Sequence, residues 1–143
     1  MKNIFIAAFA LLGMATASAN EHAITEQQLP AAARNFIQTH YANHKIIVAS
    51  QDQELFDTDY TVLLDEGTKI EFDSKGNWEK ISHRGGQIPR GIIPVQIKDF
   101  AKQYFPASHI VKIEHDREGY EVELQGDIEL KFDKKFNCVE VDR

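Results

Sequence analysis

Six histidines, one cysteine and twenty-two carboxylates are the side chains of this chain that could do chemistry. His40 and His44 stand at i, i+4, a spacing that can chelate zinc from one face of a helix. No third ligand accompanies them, and His44 falls beyond the expected helix end, so chance spacing is the plainer reading. Asp73-Ser74-Lys75-Gly76-Asn77 has some features of a calcium loop. Its counterpart, Asp133 to Asn137, lacks the glycine, and a hairpin turn accounts for both. Glu114, Glu121, Glu123, Glu129 and Glu140 recur at strand spacing, and such a strip could hold a hard cation such as calcium. Lys112 and Lys131 would neutralise part of it. Cys138 has no second cysteine to pair with, so it reads as a part-buried strand thiol. No G-x-S-x-G, H-E-x-x-H or Cys-His arrangement occurs. The expectation is a protein that is not an enzyme and has no cofactor and no dedicated metal centre.

The first nineteen residues have the pattern of a secretory signal. Lys2 gives a positive start, Ile4 to Leu12 a short apolar core, and Ala17-Ser18-Ala19 a small-residue cleavage site. The apolar run is too short to span a membrane. With no cysteine beside the cleavage point for a lipid anchor, the mature chain is expected in the periplasm or secreted, without membrane insertion. Removal of Lys2 leaves 15 basic against 22 acidic residues, a net charge of −7. An acidic chain without a basic run is a poor partner for nucleic acid.

The elements that must position these side chains come in two copies. Leu29-Pro30 matches Ile93-Pro94, Phe36 matches Phe100, and Tyr60-x-Val62-x-Leu64 matches Tyr120-x-Val122-x-Leu124. Ile70-x-Phe72-Asp73 then matches Leu130-x-Phe132-Asp133. The offset is 64 early in the unit and 60 later, so one loop is four residues longer in the first copy. Each copy opens with an amphipathic helix: Ala33, Phe36, Ile37 and Tyr41 in one, Ile97, Phe100, Ala101, Tyr104 and Phe105 in the other. Four strand-like runs follow each helix, divided by Gly-, Asn- and Asp-containing turns. The fold expectation is α+β: two tandem units, each a helix on a four-stranded antiparallel sheet. Boundaries fall at 1–19 for the signal, 20–28 for an N-terminal segment, 29–82 for the first repeat, 83–92 for a Gly-rich connector and 93–143 for the second repeat.

Strand alternation assigns the faces. In the first unit Ile47, Ala49, Tyr60, Val62, Leu64, Ile70, Phe72 and Ile81 fall under the helix. Ile46, Val48, Leu63 and Trp78 fall on the other face with Lys69, Glu71 and Lys80 at its rim, a composition suited to a partner patch. In the second unit Val111, Ile113, Tyr120, Val122, Leu124, Leu130, Phe132, Val139 and Val141 fall inward, and Cys138 outward. Leu55-Phe56, among Asp52, Glu54 and Asp57, either anchors a partner or folds back as a lid over the core edge.

A signal followed by two such units, each opening Leu/Ile-Pro and ending Phe-Asp-x-x-x-Asn, resembles the PepSY-like, β-lactamase-inhibitor-like proteins exported by Gram-negative bacteria. The resemblance covers about Leu29 to Asp142. It implies side-by-side sheets with one broad face open to another exported protein, an enzyme or protease among the classes implied. The authentic β-lactamase inhibitor braces its units with disulfides, which a single Cys138 cannot do. The functional expectation is therefore a non-enzymatic binding or inhibitory module. Its alternative is an envelope cation-binding or stress-response protein using the acidic strip of the second repeat.

Overall fold

A computed structural model describes residues 20–143; the signal expected over residues 1–19 lies outside the described residues. Contacts divide the chain into two compact units, one ending at Trp78 and the other running from Glu79 to Arg143. The first holds β1 (Glu21–Ala23), α1 (Ala31–His40), β2 (Ile46–Glu54), β3 (Asp57–Leu64) and β4 (Lys69–Phe72). Its strands pair antiparallel in the order β1-β2-β3-β4. β5 (Trp78–Ser82) starts on the last residue of the first unit, and the rest of it belongs to the second. The second unit continues with α2 (Val95–Tyr104), β6 (Ile110–Asp116), β7 (Gly119–Leu124), β8 (Ile128–Asp133) and β9 (Cys138–Asp142). Its strands form an antiparallel meander from β5 to β9. No helix among the described residues is long and apolar enough to cross a membrane.

Both helices start for the same local reason. Pro30 and Pro94 stand at the N-cap with φ −57° and −55°, fixed by the ring just where the chain turns into the helix. Each helix buries one stripe, Ala33 and Ile37 in α1 and Ile97 and Ala101 in α2. On each, an aromatic drives onto the sheet below. Phe36 meets Phe72 edge-on at 6.0 Å, and Phe100 meets Phe132 edge-on at 5.3 Å.

The registers match as the sequence does. Tyr60 lies opposite Phe72 and Val62 opposite Ile70; sixty residues on, Tyr120 lies opposite Phe132 and Val122 opposite Leu130. Val62, Leu64, Ile70, Leu124 and Leu130 are fully buried. The Asp-x-x-x-Asn segments are turns. Asp73 accepts the backbone N–H of Lys75 and of Asn77, each at 2.9 Å, and Asp133 does the same with Lys135 and Asn137 at the same distances. These bonds hold the Asp133 carboxyl below the usual carboxylate range, the Asn137 N–H being the largest cause. The left-handed residue of the turn differs between copies. Gly76 has φ +90°, and a Cβ there would meet the Ala33 backbone nitrogen at 2.8 Å. Phe136, with φ +65°, stacks on Tyr120 at 5.4 Å.

Simple alternation fails at three places. The β2–β3 register slips between Ile46 and Val48, so Ile46 lies opposite the buried Leu64 and turns inward. Ile47 becomes the bulged residue and is 58% exposed rather than inside. The β6–β7 register slips identically: Ile110 lies opposite Leu124, and both are buried. The third slip brings Cys138 opposite Phe132 on the inner side and leaves Val139 exposed, with Val141 exposed as well on β9.

Candidate functional site

The face of the first unit away from α1 is built in rows across the sheet, because residues directly paired between antiparallel strands share a face. One row is Val48, Leu63 and Lys69. The next is Ala23, Ser50, Thr61 and Glu71. The third is Glu21, Asp52 and Asp59. Of the expected patch, Val48, Leu63, Lys69 and Glu71 do lie together here, and Lys69 approaches Glu71 at 3.7 Å.

Two apolar members leave it, and one cation. Ile46 is turned to the core by the bulge. Trp78 places its ring 6.4 Å from Phe36 of α1, on the helix side of its own unit. The apolar centre expected on the outer face therefore shrinks to Val48 and Leu63, both half-buried. Lys80 lies in the second unit, opposite Glu114. In place of the expected centre the middle of the face is polar, with Ser50, Thr61, Asp52 and Glu71 all buried.

Leu55 and Phe56 form the two-residue turn of the β2–β3 hairpin, closed by the Glu54–Asp57 pair. They are 85% and 95% exposed, which excludes the lid arrangement. Two bulky apolar side chains at a hairpin tip gain nothing from the fold that holds them.

In the second unit the acidic strip is largely neutralised by its own neighbours. Glu123 receives Arg84 through both carboxylate oxygens, at 3.1 and 3.2 Å, with Lys112 at 4.0 Å. Lys112 also reaches Glu114 at 3.7 Å. Lys131 sits between Glu140 at 3.2 Å and Glu121 at 3.6 Å, and these carboxylates, Glu140 first, push its ammonium pKa up. Four of the five carboxylates that the alternative reading offered to a cation, Glu114, Glu121, Glu123 and Glu140, are paired with the chain's own lysines and arginine.

The two helical histidines part company. His40 lies against the Phe36 ring, with centroids 4.6 Å apart. His44, past the helix, meets Asp65 at 3.0 Å. The backbone N–H of Lys45 and then His44 hold the Asp65 carboxyl below its ordinary range. Glu66 brings a third ligand atom within 4.8 Å of these two. Both its oxygens already accept from Thr68, from the N–H at 3.0 Å and from the hydroxyl at 2.6 Å. The cluster works as a loop clasp.

Reasoning from sequence missed β1 and with it the third carboxylate row, because three residues are too few to show a period. It also missed the bulges, although their signal was present. Ile46-Ile47 and Ile110-Val111 are apolar doublets, and a doublet cannot alternate.

Among solved structures, the chain is similar to a Bacteroides thetaiotaomicron protein described as a "putative calcium-regulated periplasmic protein", at 36% identity and TM-score 0.83, covering 86% of this chain and 97% of that one. It is similar also to a "putative periplasmic protein" of Bacteroides vulgatus, at 34% identity and TM-score 0.84 over 88% and 99% of the two chains. A second Bacteroides vulgatus protein, described as a "putative periplasmic protein of unknown function", matches at 31% identity and TM-score 0.81 over 86% and 99%. Among curated proteins none matches. The family model described as "putative beta-lactamase-inhibitor-like, PepSY-like" matches twice, over residues 15–62 and 58–140. With paired helices, matched registers and repeated Asp–Asn turns inside those two spans, the chain belongs to the PepSY-like, β-lactamase-inhibitor-like family.

Proposed function

We propose that this is a non-enzymatic periplasmic module, built from two copies of one helix-plus-four-strand unit, that binds and restrains another exported protein. The observation that carries the reading is the β2–β3 hairpin tip. Leu55 and Phe56 are almost wholly in water, flanked by Glu54 and Asp57, where an apolar pair contributes nothing to its own fold. A projecting apolar pair with a charged collar suits insertion into the cleft of an exported enzyme, a protease included. Val48 and Leu63, rimmed by Lys69 and Glu71, supply further contact area on the outer face. The periplasmic placement rests on the three neighbours and on the residue pattern of 1–19.

The test is capture from periplasmic extract with the wild type and with Leu55→Ala/Phe56→Ala, followed by titration of the captured protein in purified form. Loss of the same prey from the double variant, with an unchanged melting curve, supports the reading. Equal capture by both, or capture that fails to reproduce with purified components, removes it.

A second reading has one specific observation in its favour. The 36% identical neighbour is described as a "putative calcium-regulated periplasmic protein". By this reading calcium raises the melting temperature of the isolated protein, since a ligand held only by the folded state stabilises it.

A further inference from the structure

Down one side of α2, Lys98, Ala101, Lys102 and Phe105 stand at i, i+3, i+4 and i+7, a single stripe that ends at the C-cap. The segment leading into the helix runs beside this stripe. The Ile88 N–H bonds the Ile110 carbonyl at 3.0 Å, and the Ile93 N–H bonds the Arg90 carbonyl at 3.2 Å. Between that segment, the helix and the start of β6 lies a cleft of about 380 Å³. Small-molecule sites usually measure about 300–1,000 Å³. All of its lining belongs to the second unit. The floor is apolar: Ile88, Ile93, Ala101 and Ile110 are buried there, and Phe105 is half-buried at one side. The rim carries Arg90, Lys98, Lys102 and His109, and among the described residues no carboxylate lines it.

That charge runs against the rest of the chain, whose acids outnumber its lysines and arginines 22 to 16. On the sheet of the same unit the cations are matched: Arg84, Lys112 and Lys131 each pair with a glutamate. Arg90, Lys98 and Lys102 make no ion pair and no side-chain hydrogen bond among the described residues. Arg143 adds a further guanidinium, over the Phe105 ring at 5.4 Å. The first copy treats the matching positions differently. Arg34 stands where Lys98 does, and its Nε donates to the Leu29 carbonyl at 3.3 Å. Gln38 replaces Lys102, and Tyr41, only 4% exposed, stands where Phe105 does. An opened ring and unmatched charge thus arrive together in the second copy.

We infer that this cleft binds a small organic anion with an apolar body, its acid head among Arg90, Lys98 and Lys102 and its body on Ile93 and Phe105. Low-dielectric walls beneath a rim of one charge sign focus the field and concentrate anions. An inorganic anion would satisfy the cations and leave the apolar floor in water. A neutral apolar molecule would do the reverse. A carboxylate on a chain of several carbons meets both halves: its oxygens accept charge-assisted hydrogen bonds from lysine and arginine, and its methylenes leave water. The site is independent of the hairpin tip proposed above as a protein anchor.

The experiment is an NMR titration of the mature chain with sodium octanoate, with octan-1-ol, sodium acetate and sodium chloride as separate arms. The expected result is saturable binding of octanoate, with the largest shifts among the amides of residues 88–93 and 98–110. Octanol and acetate should each bind about tenfold or more weakly, since each lacks one half of the match. Lys98→Gln/Lys102→Gln should weaken octanoate about tenfold or more. Lys134→Gln/Lys135→Gln removes the same charge from the β8–β9 turn and should leave binding unchanged. Melting curves verify that the variants fold, and Arg90→Gln, at an exposed side chain, gives a second measure of the loss. No saturable octanoate binding up to about 10 mM overturns the site. Octanol bound as tightly as octanoate overturns the role of the cations. Shifts from acetate or chloride equal to those from octanoate, or an equal loss in both lysine pairs, overturn it as general charge attraction. Saturable shifts confined to other residues overturn the location.

Discussion

Arg84 lays its two terminal nitrogens on the two carboxylate oxygens of Glu123, and that pairing decides what Glu123 is for. A carboxylate read from sequence as part of an open acidic strip is buried and bonded. Removal of Arg84 strands the charge with only Lys112 at 4.0 Å. Arg84→Ala should therefore destabilise the protein by about 1 kcal/mol, a modest figure because the arginine itself is largely in water. Urea unfolding of Arg84→Ala, Glu123→Gln and the double variant measures the coupling. A double variant no more stable than the summed losses of the two singles predict would show that the pair contributes nothing.

Leu55 and Phe56 make the opposite prediction. Nothing in the fold uses them, so Leu55→Ser/Phe56→Ser should leave unfolding free energy within about 0.5 kcal/mol of the wild type. Affinity for a protein partner should fall by about 2 kcal/mol or more, the scale of a buried anchor. A pair that proves important for stability would place the tip in the core after all.

Trp78 behaves as a packing residue as well as a contact candidate. With its ring beside Phe36, Trp78→Ala should cost about 2 kcal/mol or more in stability, and Trp78→Phe less. Thermal unfolding of the two variants separates this from any effect on binding. A wild-type melting temperature for Trp78→Ala would return the ring to the outer face.

Asp65 sets an acid dependence. Its carboxyl is held below its ordinary 3.8 by the Lys45 N–H and His44. The stabilisation is therefore fully present above that value and is lost as pH falls through the lowered one. The gap in melting temperature between wild type and Asp65→Asn should close as pH falls from about 5 through the lowered carboxyl value. A gap that widens below about pH 5 would reverse the sign of the shift.

Much of the fold was legible because long-range order in this chain is written twice. Tyr60, Val62 and Leu64 alternate cleanly, and so do their counterparts sixty residues on, so inner and outer faces followed in the strands around them. What failed was local. Alternation carries a face only as far as the next bulge, and a bulge shows in sequence only as a doublet such as Ile46-Ile47. Trp78 was misplaced because a bulky ring at the start of a strand can swing to whichever side offers an aromatic, and Phe36 lies too far away in sequence to announce itself. The carboxylate row was hidden for a different reason. Glu21, Asp52 and Asp59 become neighbours only through strand pairing, and a three-residue strand leaves no pattern by which to foresee it.

The two bulges sit at matching positions yet are held very differently: Ile47 is 58% exposed, whereas Val111 is 5% exposed. One copy of the irregularity is thus open to editing and the other is closed. Deleting Ile47 would remove a water-facing residue and restore plain alternation with little lost from the core. Deleting Val111 would empty a filled site. After a duplication, such a difference lets two copies of one unit drift at unequal rates. The first can change the outline of its outer face residue by residue, while the packing around Val111 restrains the second.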